Sequence, residues 1–266
     1  MVDIEKCSID GIEMRYFKFG DGPEKLVIIP GLSVQSVMGS AEAIIKAYGP
    51  TKDEFTIYVF DRRENYPSPY PVHEMAEDTV KVLRKLGVTR ASFFGASQGG
   101  MISMDISVNH PEMVNKLVLG STSALVQPEQ LKVINEWISL AEKGDRQELY
   151  LRFGEALYKE EVFEQYRGYF METAKTVTDS ELEKFITCAE SIRDFDLSGR
   201  LKEIKCPTMV IGDYNDEVLD ADATMQIAEN LDHMSDFKLF MYIGYGHAVY
   251  DMAPDYLKRV RDFLIG

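Results

Sequence analysis

Short apolar runs recur along the chain and predict buried strands. Several of these runs lack polar alternation, which is typical of strands covered on both faces of a parallel sheet. The stretches between them carry helical periodicity, and one such helix, which begins near His73, is expected to end at Gly87 as its C-cap. Alternating strands and helices predict an α/β fold with right-handed crossovers. The predicted strands are LVII (26–29), FTIYVF (55–60), ASFF (91–94), KLVLG (116–120), TMVIG (208–212) and FKLFMYI (237–243).

The alternation of strands and helices stops between about residues 123 and 200. Helical periodicity dominates there, and Thr178 with Glu181 forms a capping box ahead of one predicted helix. The segment is too long for a loop, so we predict a helical cap or lid over residues 123–200, inserted into a core formed by residues 1–122 and 201–266. The alternative is a structural subdomain that contacts no site. Another predicted helix places four apolar side chains on one face: Leu131, Ile134, Ile138 and Ala141.

Composition and charge narrow the classes of partner. The 266 residues are 45% hydrophobic and 27% charged, as in a globular protein, and the formal net charge of −15 disfavours nucleic acid and anionic membranes. The N-terminus lacks the pattern of a signal peptide, and the apolar runs are too short to span a bilayer. Cys7, Cys188 and Cys206 suit neither a disulfide framework nor a zinc site. We therefore expect a cytoplasmic protein with reduced thiols, no metal and no cofactor.

A lone serine stands among small residues where a predicted strand gives way to a predicted helix. Gly95-Ala96-Ser97-Gln98-Gly99 fits the pattern G-x-S-x-G. In such a nucleophile elbow the serine occupies a strained turn, and Gly95 and Gly99 lack side chains because neighbouring backbone comes close. The N-terminus of the following helix favours negative charge beside the hydroxyl. Ser97 is therefore the candidate nucleophile, and the alternative is a chance match in an ordinary turn.

A serine hydroxyl needs a base to become a good nucleophile, and the chain has four histidines. His247 follows the last predicted strand and the small residues of GYG, so its ring is expected over the edge of the sheet. His73 is expected on the solvated surface, His110 at a helix end where it caps carbonyl groups, and His233 in a polar run. We predict that His247 is the base, with a buried structural histidine as the alternative.

The third member of such a triad is a carboxylate that fixes the tautomer of the imidazole. In chain order it should follow the strand TMVIG and precede the histidine. Asp213 is still attached to the end of that strand, whereas Asp216 lies at the apex of the loop. Asp220 and Asp222 are expected to open the next helix. The prediction favours Asp216 as the acid and keeps Asp213 as the alternative.

Acyl transfer also needs N–H donors for the oxyanion. The N–H of Gln98, directly after the serine, is one candidate, and we expect this residue to act through that N–H rather than through its side-chain amide. The second candidate is the N–H of Leu32, in the Pro30-Gly31 turn that follows an apolar strand. An ordinary strand-ending turn is the alternative at that position.

These residues, in this order, resemble the α/β-hydrolase family. The resemblance covers nearly the whole chain and includes VIIPGLS, YVFDRR, GASQGG, NHPEMVNKLVLGS and GYGHAVYDMAPDYLKRVRDFL. It implies a mostly parallel, eight-stranded sheet with helices on both faces and a helical cap inserted after the sixth strand. It also implies a triad of Ser97, Asp216 and His247.

Two segments depart from the pattern of that family. Many members carry His-Gly in the oxyanion loop, where this chain has Pro30-Gly31, so a side chain that often orders the loop is missing. The pattern D-x-R-G-x-G-x-S, common after the fourth strand, becomes DRRENYPS, with Glu64 and Tyr66 in place of glycines. This second loop is expected near the rim of the pocket, so the substrate preferences of better-known members do not carry over.

We therefore predict a serine hydrolase, like a carboxylesterase, that cleaves a small carboxylic ester or related acyl compound through an acyl-enzyme. The same triad can also cleave thioesters, lactones, amides or C–C bonds, and a non-catalytic sensor of a small molecule is the alternative from another class. The acidic net charge does not exclude a homodimer. Aromatic side chains in the cap are expected to shape a mostly apolar pocket, although none is assigned to the site: Trp137, Phe153, Tyr158, Tyr166 and Phe170.

Overall fold

An eight-stranded sheet runs through residues 2–266, the part of the chain that the computed structural model describes. Its strand order is β1-β2-β4-β3-β5-β6-β7-β8, and every neighbouring pair from β4 to β8 is parallel. The predicted α/β-hydrolase fold with a mostly parallel sheet is confirmed. The strands are β1 (Glu5–Ile9), β2 (Ile12–Phe19), β3 (Glu24–Ile29), β4 (Phe55–Phe60), β5 (Ala91–Ala96), β6 (Val114–Gly120), β7 (Thr208–Asp213) and β8 (Phe237–Tyr242).

All six strands predicted from apolar runs are present, and the remaining two form an N-terminal hairpin. Strands β5 and β7 are buried at every position, which explains why their sequences show no polar alternation. The hairpin β1–β2 is antiparallel and turns at Asp10 and Gly11, both of which have positive φ. Those two angles match the tight turn that Asp-Gly favours.

Residues 2–266 contain ten α-helices, several of which cover the sheet. One apolar core contains side chains of α2, α3 and α8, and a second contains side chains of α1 and α10, so helices cover both faces as predicted. The helix α2 ends with Leu86 at its C-cap, and Gly87 follows at φ +75°. The helices are α1 (Ala41–Tyr48), α2 (Val72–Lys85), α3 (Gln98–Asn109), α4 (Gln130–Glu142), α5 (Arg146–Leu157), α6 (Glu160–Ala174), α7 (Asp179–Glu190), α8 (Asp220–Leu231), α9 (Val249–Met252) and α10 (Tyr256–Ile265).

The helices α4 to α7 occupy the chain between β6 and β7. The capping box of Thr178 and Glu181 opens α7 as predicted, and the apolar face of α4 packs into the core. The two ends of this segment meet, because Leu125 pairs with Asp196 in an isolated bridge and the N–H of Leu197 donates to the carbonyl of Ala124 at 2.8 Å. The segment between β6 and β7 therefore begins and ends at one place.

Residues 2–266 contain neither a helix able to span a membrane nor a cluster of metal-ligating side chains. In that part of the chain no helix combines the length and the apolar character needed to cross a bilayer. Nor do three or more His, Cys, Asp or Glu side chains converge there in a way that could hold a metal ion.

Candidate active site

The predicted site residues all follow the carboxyl ends of parallel strands. Ser97 follows β5, Asp216 follows β7, His247 follows β8 and Leu32 follows β3. These strands run in the same direction, so their ends lie on one edge of the sheet, the edge at which open α/β sheets bind ligands.

Ser97 occupies a strained turn between β5 and α3. Its φ of 52° and ψ of −123° are rare for a residue with a side chain. The turn is held by backbone on both sides, because the N–H of Ser97 donates to the carbonyl of Gly120 at 2.9 Å and the hydroxyl of Thr122 donates to the carbonyl of Ser97 at 2.7 Å. The serine is thereby fixed at the N-terminus of a twelve-residue helix, where backbone N–H groups are unpaired.

The glycines of the elbow allow three chain segments to touch. A Cβ on Gly99 would overlap the carbonyl group of Ile29, and a Cβ on Gly95 would overlap the carbonyl group of Gly99. Gly100 is packed against the side chain of Thr122 in the same way. The close approach of β3, β5 and α3 therefore depends on the absence of side chains here.

His247 and Asp216 form a buried hydrogen-bonded pair. The Nδ1 atom of His247 lies 2.8 Å from Oδ2 of Asp216, and the two residues are only 1% and 7% exposed. The second oxygen of Asp216 accepts the backbone N–H groups of Val218 (2.8 Å) and Leu219 (3.1 Å). With Nδ1 paired to the carboxylate, Nε2 is the nitrogen left for a proton from another group.

Asp213, the alternative acid, binds only backbone in the described hydrogen bonds. Its two oxygens accept the N–H groups of Asn215 (2.7 Å), Gly244 (3.2 Å) and Tyr245 (2.9 Å). Asp213 therefore fastens the loop after β8, which carries His247, to the loop after β7. Asp220 and Asp222 lie in the first turn of α8, as predicted.

A small enclosed pocket joins Ser97, Leu32 and His247. Its volume is about 20 Å³, room for about one water molecule. Of the aromatic residues expected to shape it, Trp137 and Phe153 do line it, whereas Tyr166 is half exposed on α6. Most of the lining is apolar, and it comes both from the segment between β6 and β7 and from the rest of the chain, including Met101, Ile134, Leu157, Ile192 and Val218.

The Pro30-Gly31 turn, predicted to supply an oxyanion donor, passes directly beside the serine. A Cβ on Gly31 would lie 3.1 Å from the Cβ of Ser97, and Leu32 lines the same pocket as the serine. Gln98 is the first residue of α3, a position whose N–H has no partner within the helix. Both segments that were predicted to supply donors are thus adjacent to the hydroxyl.

The side-chain amide of Gln98, for which the sequence predicts no role, is fully buried and engaged on both sides. Its oxygen accepts a hydrogen bond from Arg62 at 3.0 Å, and its nitrogen donates to the carbonyl of Cys188 (2.6 Å) and the hydroxyl of Ser191 (3.1 Å). Arg62 also donates to the carbonyl of Pro30 at 2.8 Å. Arg62 is the residue beside the site that sequence reasoning missed, and only its place directly after a buried strand could have indicated it.

The remaining histidines lie outside this pocket. His73 is exposed as expected and pairs with Asp105 at 3.0 Å. The expectation that the side chain of His110 caps carbonyl groups is wrong, because its Nε2 lies 2.6 Å from a carboxylate oxygen of Glu77. The nearby acidic side chain of α2 outcompetes the neutral carbonyl groups for the imidazole.

A family profile and a curated relative both match most of the chain. The profile of the Ndr family matches residues 45–265. The protein named "Putative carbamate hydrolase RutD" from Rhizobium rhizogenes (strain K84) is 26% identical over 194 residues, which is 67% of this chain and 71% of that protein.

Two solved structures share the fold over nearly their whole length. One is an α/β hydrolase enzyme, MGS-M2, from a deep-sea metagenome library of the Medee basin, with a TM-score of 0.86 and 18% identity over 98% of both chains. The other is the enol-lactonase from Burkholderia xenovorans LB400, with a TM-score of 0.84 and 18% identity over 98% of this chain and 100% of that one. At this identity the likeness concerns the fold.

Proposed function

The chain belongs to the Ndr family within the α/β-hydrolase superfamily, and from that premise we propose that it is a serine hydrolase that cleaves a small carboxylic ester or a related acyl compound. One observation carries the proposal. His247, buried and hydrogen-bonded to Asp216 at 2.8 Å, lines the same pocket as a serine held at positive φ on a nucleophile elbow.

In the first half of the reaction, Nε2 of His247 takes the proton of Ser97 while Oγ attacks the acyl carbon. Asp216 holds the proton on Nδ1, which leaves Nε2 as the base and stabilises the imidazolium that forms. The imidazolium then protonates the leaving group, and the acyl group stays on Ser97.

The backbone N–H groups of Leu32 and Gln98 would hold the negative oxygen of the tetrahedral intermediate. Their segments both border Ser97, and the N-terminus of α3 adds its dipole. Water, activated by His247, then attacks the acyl-enzyme along the same route and releases the acid.

The lining of the pocket supports a small apolar acyl group as the part of the substrate that Ser97 binds. The space of about 20 Å³ is small, and Trp137 and Phe153 form part of its wall, so on this proposal their movement would admit the substrate. Both belong to residues 123–200, which on this proposal act as a lid.

Hydrolysis of a panel of chromogenic substrates tests the proposal. Wild type is expected to hydrolyse short apolar esters faster than long ones, and Ser97→Ala should lower kcat by at least about 10⁴-fold, because removing a triad nucleophile removes the covalent route. Circular dichroism should show that the variant is folded.

The same panel separates the alternatives. It should include thioesters, lactones and carbamates, the last because a relative is named for a carbamate hydrolase. If the protein turns over one of these classes faster than esters, that class and not the esters is the substrate. Binding of a small molecule under the cap without turnover of any class would favour a sensor and contradict the proposal.

A further inference from the structure

We propose that Arg62 is a positioning residue for the oxyanion hole and that its guanidinium holds the two donor-bearing segments at a fixed separation. The inference rests on the proposed function. The Nη2 atom of Arg62 donates to the carbonyl of Pro30 at 2.8 Å and to Oε1 of Gln98 at 3.0 Å. Pro30 precedes the donor Leu32 by two residues, and Gln98 is the other donor, so one nitrogen bridges both halves of the hole.

The oxyanion loop packs against Ser97 and Gly99 on one side and borders open space on the other. A cavity of about 350 Å³ lies beside Gly31 and Leu32, which also line the Ser97 pocket, and its wall includes Arg62 and residues 33–37. A loop with open space along one side lacks the close contacts that fix a core segment. Its position therefore depends on hydrogen bonds such as the one from Arg62 to the Pro30 carbonyl.

Arg62 places a buried charged group at the contact with Pro30 and Gln98. The residue is 8% exposed, and burial lowers the pKa of its guanidinium, although arginine keeps its charge at ordinary pH. Both acceptors of Nη2 are neutral oxygens, so the hydrogen bonds are charge-assisted. A buried cation behind the donors also favours negative charge on the substrate oxygen.

Arg62 orders the first residues of the oxyanion loop. The later residues are held by side chains of the loop itself, because Ser33 donates to the carbonyl of Gln35 at 2.7 Å and Ser36 donates to Asp61 at 2.5 Å. The carbonyl of Pro30, in contrast, is held by Arg62. The network also extends to the cap, because Gln98 donates to Cys188 and Ser191 while Lys184 donates to the carbonyl of Arg62 at 3.0 Å. The separation of the two donors is thereby tied to the position of α7.

The variant Arg62→Met tests this role against the matched control Arg63→Met. Arg63 is the adjacent arginine and binds Asp78 at 3.2 Å, away from the oxyanion loop. We expect Arg62→Met to lower kcat by about 10- to 100-fold with KM within about 2-fold, because misplaced donors affect the transition state more than the bound ester. Arg63→Met should lower the melting temperature and leave kcat unchanged.

The affinity of a trifluoromethyl ketone inhibitor is a measurement that a general loss of fold stability would not change. The ketone adds to serine as a tetrahedral oxyanion, so its affinity should fall with Arg62→Met by about the same factor as kcat/KM. Arg62→Lys keeps the charge but loses the planar fork, and it should fall between wild type and Arg62→Met in both measurements.

Each outcome decides the point. If wild type is active and Arg62→Met retains both kcat and inhibitor affinity, the inference is wrong while the proposed hydrolase activity holds. If Arg62→Met does not fold, the same result for Arg62→Lys decides against the inference. A folded wild type without turnover of any substrate would overturn the proposed function and this inference together.

Discussion

Two buried aspartates stand three residues apart, Asp213 at the end of β7 and Asp216 in the loop that follows, and they differ in the groups that they bind. Asp213 is the more buried, at 1% exposed against 7% for Asp216, and it accepts three backbone N–H groups. Asp216 accepts two backbone N–H groups with one oxygen and gives the other to His247. The comparison teaches that burial does not separate the two aspartates, whereas the partner of the second oxygen does: a backbone N–H for Asp213 and the imidazole of His247 for Asp216.

The two residues also depend on each other. Asp213 fixes Gly244 and Tyr245, which lead into His247, whereas Asp216 fixes the imidazole itself. One carboxylate sets the path of the loop and the other sets the orientation of the ring. Substitution of each by asparagine, which keeps size and shape, separates these two tasks.

The largest effect is expected for Asp216→Asn. The amide cannot stabilise the imidazolium and can donate to Nδ1, which favours the wrong tautomer, so kcat should fall by about 10⁴-fold. The melting temperature should change little, since the side-chain oxygen can still accept from Val218 and Leu219. Steady-state kinetics together with a thermal scan measure both, and a loss of less than 10-fold in kcat would contradict the assignment.

Asp213→Asn should act on stability instead. One oxygen is replaced by an NH₂ group that meets the backbone N–H of Tyr245 or of Gly244, and the loss of such a buried charge-assisted contact costs about 1–3 kcal/mol. Urea unfolding measures that cost, and kcat at a temperature where the variant is folded should fall by less than about 10-fold. A loss of kcat as large as that of Asp216→Asn would make Asp213 the acid.

The parts of the fold that depend on local pattern could be predicted from the sequence. FTIYVF became β4 over the predicted residues, and α2 stopped before Gly87, because burial on both faces and the left-handed C-cap each leave a local signature. The hairpin β1–β2 carried such a signature as well. Asp10-Gly11 and the alternation of Ile12, Met14 and Tyr16 were readable but were not used.

The missing parts of the site are contacts between distant residues. Arg62 and Gln98 are 36 positions apart, and Gln98 and Cys188 are 90 positions apart, so no periodicity joins them. Ser97, His247 and Asp216, the predicted nucleophile, base and acid, follow strand ends and keep a fixed chain order, which made them predictable. The buried bridge from Arg62 through Gln98 to Cys188 has no such order, and it is visible only when the three segments are folded together.

The reaction of the protein with a fluorophosphonate probe tests the central claim most directly. The account predicts one covalent adduct, mapped by mass spectrometry to the peptide that contains Ser97, absent in Ser97→Ala and formed far more slowly in His247→Ala, because only a serine activated by that histidine attacks the probe at a useful rate. A folded wild type that forms no adduct, or forms it on another residue, would contradict the claim that Ser97 is the nucleophile.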